Sequence, residues 1–175
     1  MSAQTETTSP PRPGWLRVIA VGRNPRITFI RILVLVSACF VVFKFILLPL
    51  RVDGISMEPT YHDHSINFLN RLAYLTHEPR RGDVVNIRYA GPHVMLMKRI
   101  VGLPGETIEF VHGTVFINGV PLAEPYKKNQ SDWTLLPEKI GPDEYFVVGD
   151  NRDMPAHDHV FGRVERARIL GKVLL

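Results

Sequence analysis

The sequence predicts a mainly β protein, an antiparallel β domain carried behind one N-terminal transmembrane helix. Three observations lead there. Residues Ile32 to Leu50 form an apolar run of 19 residues, interrupted mainly by Lys44. Beyond it, short β-branched and aromatic runs are separated by Gly, Pro and Asn turns. Outside the membrane-length run, no long stretch keeps the 3.6-residue apolar period of a helix.

The apolar run comes first in the chain. At ~1.5 Å per residue it spans roughly 28 Å, close to the thickness of a bilayer core. Lys44 stands near its outer end, where the alkyl stem can carry the amine to the interface. Residues 1–31 hold Arg12, Arg17, Arg23, Arg26 and Arg31 against Glu6 alone, a surplus of +4 that equals the net charge of the whole chain. Only Arg51 follows the run closely, so the N-terminus is expected in the cytoplasm and the remainder outside it. A cleaved secretory signal fits less well, because Pro49 to Asp53 offers no small-x-small cleavage site. A buried core helix is disfavoured by Lys44 and by the lopsided charge. The expected organisation is a cytosolic basic tail at 1–26, a transmembrane helix at 27–50 and an extracytoplasmic β domain at 51–175. The first 14 residues, rich in Ser, Thr and Pro, read as a disordered tail.

Residues 32–175 hold 16 basic and 16 acidic residues, so the remainder of the chain carries no net charge. This argues against nucleic acid as a partner, since such domains place their basic excess on the folded part. A domain of roughly 120 residues buries a core without disulfide staples. The single cysteine, Cys39, lies within the apolar run, so no intrachain disulfide can form. Strands are expected at Val84–Tyr89 and Val94–Val101, around Ala90-Gly91-Pro92-His93. Thr107–Val111 and Thr114–Ile117 flank His112-Gly113, Asn118-Gly119 supplies a second hairpin turn, and Tyr145–Val148 runs into Gly149-Asp150-Asn151. Residues 121–143, with four prolines and Tyr126-Lys127-Lys128-Asn129-Gln130, read as an irregular excursion from the main sheet.

Two residues carry the candidate chemistry. Ser56 lies six residues beyond the apolar run, within Gly54-Ile55-Ser56-Met57-Glu58-Pro59-Thr60. Lys98 is the lone lysine of the strand Val94–Val101. A serine hydroxyl is a weak nucleophile until a base takes its proton. Lysine, near ~10.4 when free, can be that base only where its surroundings depress the pKa. An apolar strand beside a lipid surface could supply the desolvation, and serine–lysine pairs are a known variant of the nucleophile–base arrangement. Taken singly, Ser56 would begin a turn and Lys98 would be a surface lysine on an edge strand.

Gly54-x-Ser56-Met57-x-Pro59-Thr60 resembles the nucleophile box of the bacterial type I signal peptidases (leader peptidases), the serine–lysine dyad endopeptidases. Arg81-Gly82-Asp83-Val84-Val85 resembles their second box, and Lys98-Arg99-Ile100-Val101-Gly102-Leu103-Pro104-Gly105-Glu106 the lysine box. Gly149-Asp150-Asn151-Arg152-Asp153, with Phe161-Gly162, resembles the last. The boxes stand in the family's order across residues 52–162.

The resemblance implies an antiparallel β catalytic domain with 109–140 as a variable second β region. It implies Ser56 as nucleophile, Lys98 as general base and the Ser56 N–H as an oxyanion donor. Val52, Ile55, Met57, Leu96 and Met97 would line shallow apolar pockets, and backbone around Asp53 and Met95 to Met97 would pair with an extended substrate. Asp150, Asn151 and Arg152 would form a structural turn near the site. The implied function is a membrane-bound serine endopeptidase, without cofactor or metal, that cleaves N-terminal signal peptides from exported preproteins. Its partners would be preprotein signal peptides, the lipid bilayer of the bacterial inner membrane and the translocation machinery.

The last box departs from the family pattern. Pro155, His157, Asp158 and His159 stand where the family usually has Ser, Asp, Ser and Arg. In the family that first serine hydrogen-bonds the lysine, which a proline side chain cannot do. Either another group orients Lys98, with Asp158 a substitute, or activity is lowered. The narrower alternatives are a relative maturing one dedicated substrate, such as a conjugation-system pilin, and an inactive homologue that binds without turnover. His62-Asp63-His64 with His157-Asp158-His159 could also make a zinc site, and His157 or His159 could complete a Ser–His–Asp triad. Arg81-Gly82-Asp83 reads as entry into a strand rather than an adhesion motif.

Overall fold

The computed structural model describes residues 24–91, 94–127 and 131–174. Arg12, Arg17, Arg23, the expected tail disorder, Pro92-His93 and Lys128-Asn129-Gln130 fall outside the described residues. The chain divides into two compact units, one ending at Val41 and one beginning at Val42.

In the first unit, helix α1 runs from Pro25 to Val41 and buries none of its side chains against protein. Proline is well suited to a first helical position, where its missing N–H has no partner to lose. Together with a π-helical turn over Val42–Ile46, it makes a 22-residue segment, Pro25–Ile46, of mean hydropathy 2.5. That segment is long and apolar enough to cross a membrane.

The apolar run expected as helix through Leu50 changes at Leu47, where it becomes strand β1 (Leu47–Arg51). Pro49 gives the reason: it lacks an N–H and its ring collides with the carbonyl four residues back in a helix. β1 pairs antiparallel with β2 (Ile66–Asn70), Pro49 facing Phe68 at the edge of the sheet, where proline is tolerated.

The second unit holds two antiparallel sheets. β3 (Val84–Ala90), β4 (Val94–Gly102), β9 (Glu144–Val148), β10 (Gly162–Glu165) and β11 (Ile169–Leu174) join β1 and β2 in seven strands, ordered β1-β2-β11-β3-β4-β9-β10. β5 (Thr107–Val111), β6 (Thr114–Ile117), β7 (Val120–Pro121) and β8 (Leu135–Lys139) make a four-stranded sheet, ordered β7-β6-β5-β8. The β5–β6 turn places His112 and Gly113 at φ 45° and 76°, and the β6–β7 turn places Asn118 and Gly119 at 52° and 78°. Two successive positive φ values match the twist of the flanking strands, as the short-hairpin signals require.

One core cluster joins the two sheets: Val101, Phe146 and Val148 from the larger meet Ile108, Phe110 and Val115 from the smaller, with Trp133 and Ile140 beside them. A second, of Val52, Met57, Tyr61, Leu69, Val84, Met97 and Val173, packs the segment after β1 onto β2, β3, β4 and β11. That second cluster positions the site.

Candidate active site

Ser56 is half-buried on the turn that leaves β1. The turn is tied at its base by Val52 N–H to the Ser65 carbonyl at 2.9 Å and His64 N–H to the Val52 carbonyl at 2.8 Å. Met57, 1% exposed, anchors the turn in the same cluster as Met97 of β4. The residues next to these methionines in sequence are Ser56 and Lys98. Asn151 holds the turn from the other side: its N–H donates to the Ser56 carbonyl at 3.1 Å and its Nδ2 to the Ile55 carbonyl at 3.0 Å. The Ser56 N–H has no hydrogen-bond acceptor among the described residues.

Lys98 is 3% exposed on β4, opposite Val85 of β3. Its amine makes no hydrogen bond or close ion pair among the described residues. Burial pushes its pKa down to about 8, partly offset by the negative charge of Asp150. The next residue, Arg99, faces Val148 of β9, so the turn following β9 lies beside Lys98. Ser56 and Lys98 thus meet the same turn, Gly149-Asp150-Asn151. At Gly149 the approach is close: a Cβ there would sit 2.2 Å from the Ser56 carbonyl oxygen and 2.5 Å from His159 Nε2. Only glycine leaves that space.

Charge around the turn is paired. The carboxylate of Asp150, 1% exposed, accepts from Arg99 Nε at 2.8 Å, Arg99 Nη2 at 2.6 Å and Thr60 Oγ1 at 2.5 Å. Arg99 Nη1 also donates to the Gly82 carbonyl at 2.7 Å, tying in the Arg81-Gly82-Asp83 segment, and its guanidinium lies 4.0 Å over the Tyr126 ring. Arg152 is buried, donating to the Gly149 carbonyl at 2.8 Å and Glu124 Oε1 at 2.6 Å.

His159, not Asp158, reaches this centre. A 3-10 turn over Ala156–Asp158 leaves His157 and Asp158 exposed and facing each other at 3.5 Å. It turns His159 inward to 4% exposure, edge-on to Trp133 with ring centroids 4.9 Å apart. The Gly149 N–H donates to His159 Nε2 at 2.9 Å, so the ring proton resides on Nδ1, which has no partner among the described residues. Burial, with the positive charges of Lys98 and Arg152, pushes the His159 pKa down to about 3. A neutral imidazole committed to Gly149 offers Ser56 no carboxylate-oriented triad. Nothing in the local sequence marks His159 over its neighbours; the turn geometry alone selects it.

A groove of about 540 Å³ opens beside Ser56. Val52, Asp53, Met57, Leu96 and Met97 line it, whereas Ile55 lies outside the lining and is 47% exposed. Asn86 and Leu69, not singled out by sequence, also line it. Among the described residues, Asp53, Asp63 and His64 bring potential metal-donor atoms within 4.8 Å of one another. His157 and His159 do not join them, so the two His-Asp-His segments do not form one donor set.

A β scaffold of this order, with a serine on the turn that leaves β1 and a buried lysine on β4 beside the Gly149-Asp150-Asn151 turn, points to a peptidase class that comparison makes specific. The family described as signal peptidase, peptidase S26, matches residues 26–175. A signal peptidase I of Bacillus amyloliquefaciens is 37% identical over 131 residues, covering 69% of this chain and 70% of that protein. A signal peptidase I of Leptolyngbya laminosa is 34% identical over 128 residues, covering 69% of this chain and 63% of its own length. The crystal structure of a signal peptidase I from Enterococcus faecalis V583 is 32% identical, covering 55% of this chain and 97% of that one at a TM-score of 0.44. The chain belongs to the signal peptidase family, peptidase S26.

Proposed function

We propose that this peptidase removes N-terminal signal peptides from exported preproteins, with Ser56 as nucleophile and Lys98 as general base. The observation that carries the mechanism is the buried Lys98 amine, free of hydrogen bonds among the described residues and set against the turn that holds Ser56. With its pKa lowered to about 8, a useful fraction of the amine is neutral near physiological pH.

Neutral Lys98 takes the proton from Ser56 Oγ as the oxygen attacks the scissile carbonyl carbon. The carbonyl π electrons pass to oxygen, and the Ser56 N–H stabilises the oxyanion. The Lys98 ammonium then protonates the leaving amine, the C–N bond breaks, and an acyl-Ser56 ester remains. Lys98 next takes a proton from water, whose oxygen attacks the ester carbonyl. The Lys98 ammonium then returns that proton to Ser56 Oγ as the ester C–O bond breaks. This frees the signal peptide as its carboxylic acid, which ionises, and restores neutral Lys98. No cofactor is required, because the chain supplies both nucleophile and base. Asp150, Asn151 and Arg152 hold the turn, and His159 supports it through Gly149 in place of the expected Asp158.

The groove takes an extended peptide with small side chains one and three residues before the cut. The apolar segment Pro25–Ile46 anchors the enzyme in the bacterial inner membrane, N-terminus inside and the β unit outside, where preproteins leave the translocation machinery.

Cleavage of a preprotein in liposomes tests this with wild type, Ser56→Ala and Lys98→Ala. Each substitution is expected to reduce cleavage by about 10³-fold or more, with chelator leaving wild type unaffected. Retained cleavage in either variant would overturn the dyad.

A further inference from the structure

Asn86 breaks the apolar character of the groove. It is the third residue of β3, opposite Met97 of β4, and its neighbours Val85 and Ile87 point into a separate core cluster. Only 8% of Asn86 is exposed, it lines the groove, and its amide has no hydrogen-bond partner among the described residues. Around it on the groove floor are buried Val52, Leu69 and Met97. The amide opens onto the groove rather than into the core, so a ligand that displaces water from the groove is suited to supply the hydrogen bonds that water made.

The geometry points to Asn86 as a specificity residue that selects an uncharged polar side chain, a hydroxyl or amide, three residues before the scissile bond. This rests on the groove being the preprotein site. The position rests on the extended peptide of the proposed function, whose first and third side chains before the cut face the groove about 6.6 Å apart. Met57 adjoins Ser56 in the groove, and the turn after β9 holds the Ser56 carbonyl, whereas Asn86 stands on β3, which does not neighbour β9. The side chain before the cut is therefore assigned to the Met57 end of the groove, and the third to Asn86.

The charge of the preferred side chain follows from burial. Arg51, Arg71 and Arg88 stand exposed at the groove rim and favour anions at a distance. A carboxylate beside Asn86 would nevertheless be stripped of water among apolar groups, whereas a hydroxyl can both donate to Asn86 Oδ1 and accept from Nδ2. A site built to hydrogen-bond a substrate hydroxyl discriminates against the isostere that lacks it.

The test compares preproteins that differ only in Thr, Val or Asp at that position. They are cleaved by the full chain in liposomes, and matching peptides are bound to Ser56→Ala. Wild type should favour Thr over Val by roughly five-fold in kcat/KM, with the same order in binding. Asn86→Val should bring that ratio to one or below. A wild-type ratio at or below one, a ratio unchanged by Asn86→Val, or a preference for Asp would each overturn the proposal. Thr-selective binding without cleavage by wild type would uphold the subsite while refuting the proposed activity.

Discussion

Lys98 and Arg99 are neighbours on β4 and both are buried, yet the protein surrounds them in opposite ways. Arg99 meets the Asp150 carboxylate through two nitrogens and the Gly82 carbonyl through a third. Lys98 meets no acceptor among the described residues and senses Asp150 only at a distance. A buried guanidinium fixed by a bidentate carboxylate orders its surroundings, here the turn that grips the Ser56 carbonyl. A buried amine left without a partner loses its proton more easily, and that suits it to the base role proposed for it. Direct pairing of Lys98 with Asp150 would restore the ammonium and remove the proposed base. One carboxylate serves both regions by touching one cation and only influencing the other.

Removing the paired side should have the largest effect on folding. Asp150→Ala leaves Arg99 buried without its counter-charge and is expected to lower stability by about 3–5 kcal/mol in denaturant unfolding. A loss below about 1 kcal/mol would mean that Arg99 is not held by this pair.

The unpaired side predicts the reverse. The lowered pKa of Lys98 means the unfolded chain binds an extra proton between pH about 8 and ~10.4. Wild-type stability therefore rises with pH across that window, and below about 8 the full penalty stands. Lys98→Met should be more stable than wild type by ~3 kcal/mol at pH 7, with the gain vanishing above pH ~10.4, while cleavage is lost. In wild type, kcat/KM should climb with pH through about 8 as the amine becomes neutral. A flat profile from pH 6 to 9 would contradict a lysine base.

The smallest effect concerns what holds the turn between the two cations. His159→Ala removes the acceptor of the Gly149 N–H and an edge contact to Trp133, at an expected cost of about 1–2 kcal/mol. His159→Gln, whose carbonyl can accept from Gly149, should recover part of it. Exposed Asp158→Ala should shift thermal unfolding by no more than ~0.5 kcal/mol. A larger loss at Asp158 than at His159 would reverse the assignment.

Local patterns made the central hairpins readable. Val84–Ala90 with Val94–Gly102, and Thr107–Val111 with Thr114–Ile117, stand close to where alternation and turn residues put them. Six strands were not read from the sequence, among them the short β7 and β10, and four of the six were hidden for identifiable reasons. β1 reads as the end of a membrane run, β2 is a short Ile66–Asn70 segment, and β8 contains Pro137, which edge strands alone accommodate. β11 lies between β2 and β3, so its pairing joins residues far apart in the chain. Within the last box, Asp158 was the expected support, but the Ala156–Asp158 turn sends it to solvent and brings His159 inside.

By itself the sequence determined the apolar anchor segment, the β character of the rest, and the residue types in four ordered boxes that carry Ser56 and Lys98. These depend on local hydrophobicity, backbone preference and short spacing. Only the tertiary structure decided that Asp150 pairs with Arg99 rather than Lys98, that His159 supports Gly149, and that Asn86 faces the groove. Those outcomes depend on which side chains are brought together from distant strands, and burial among them is what lowers the pKa of Lys98 while leaving the Asn86 amide facing the groove.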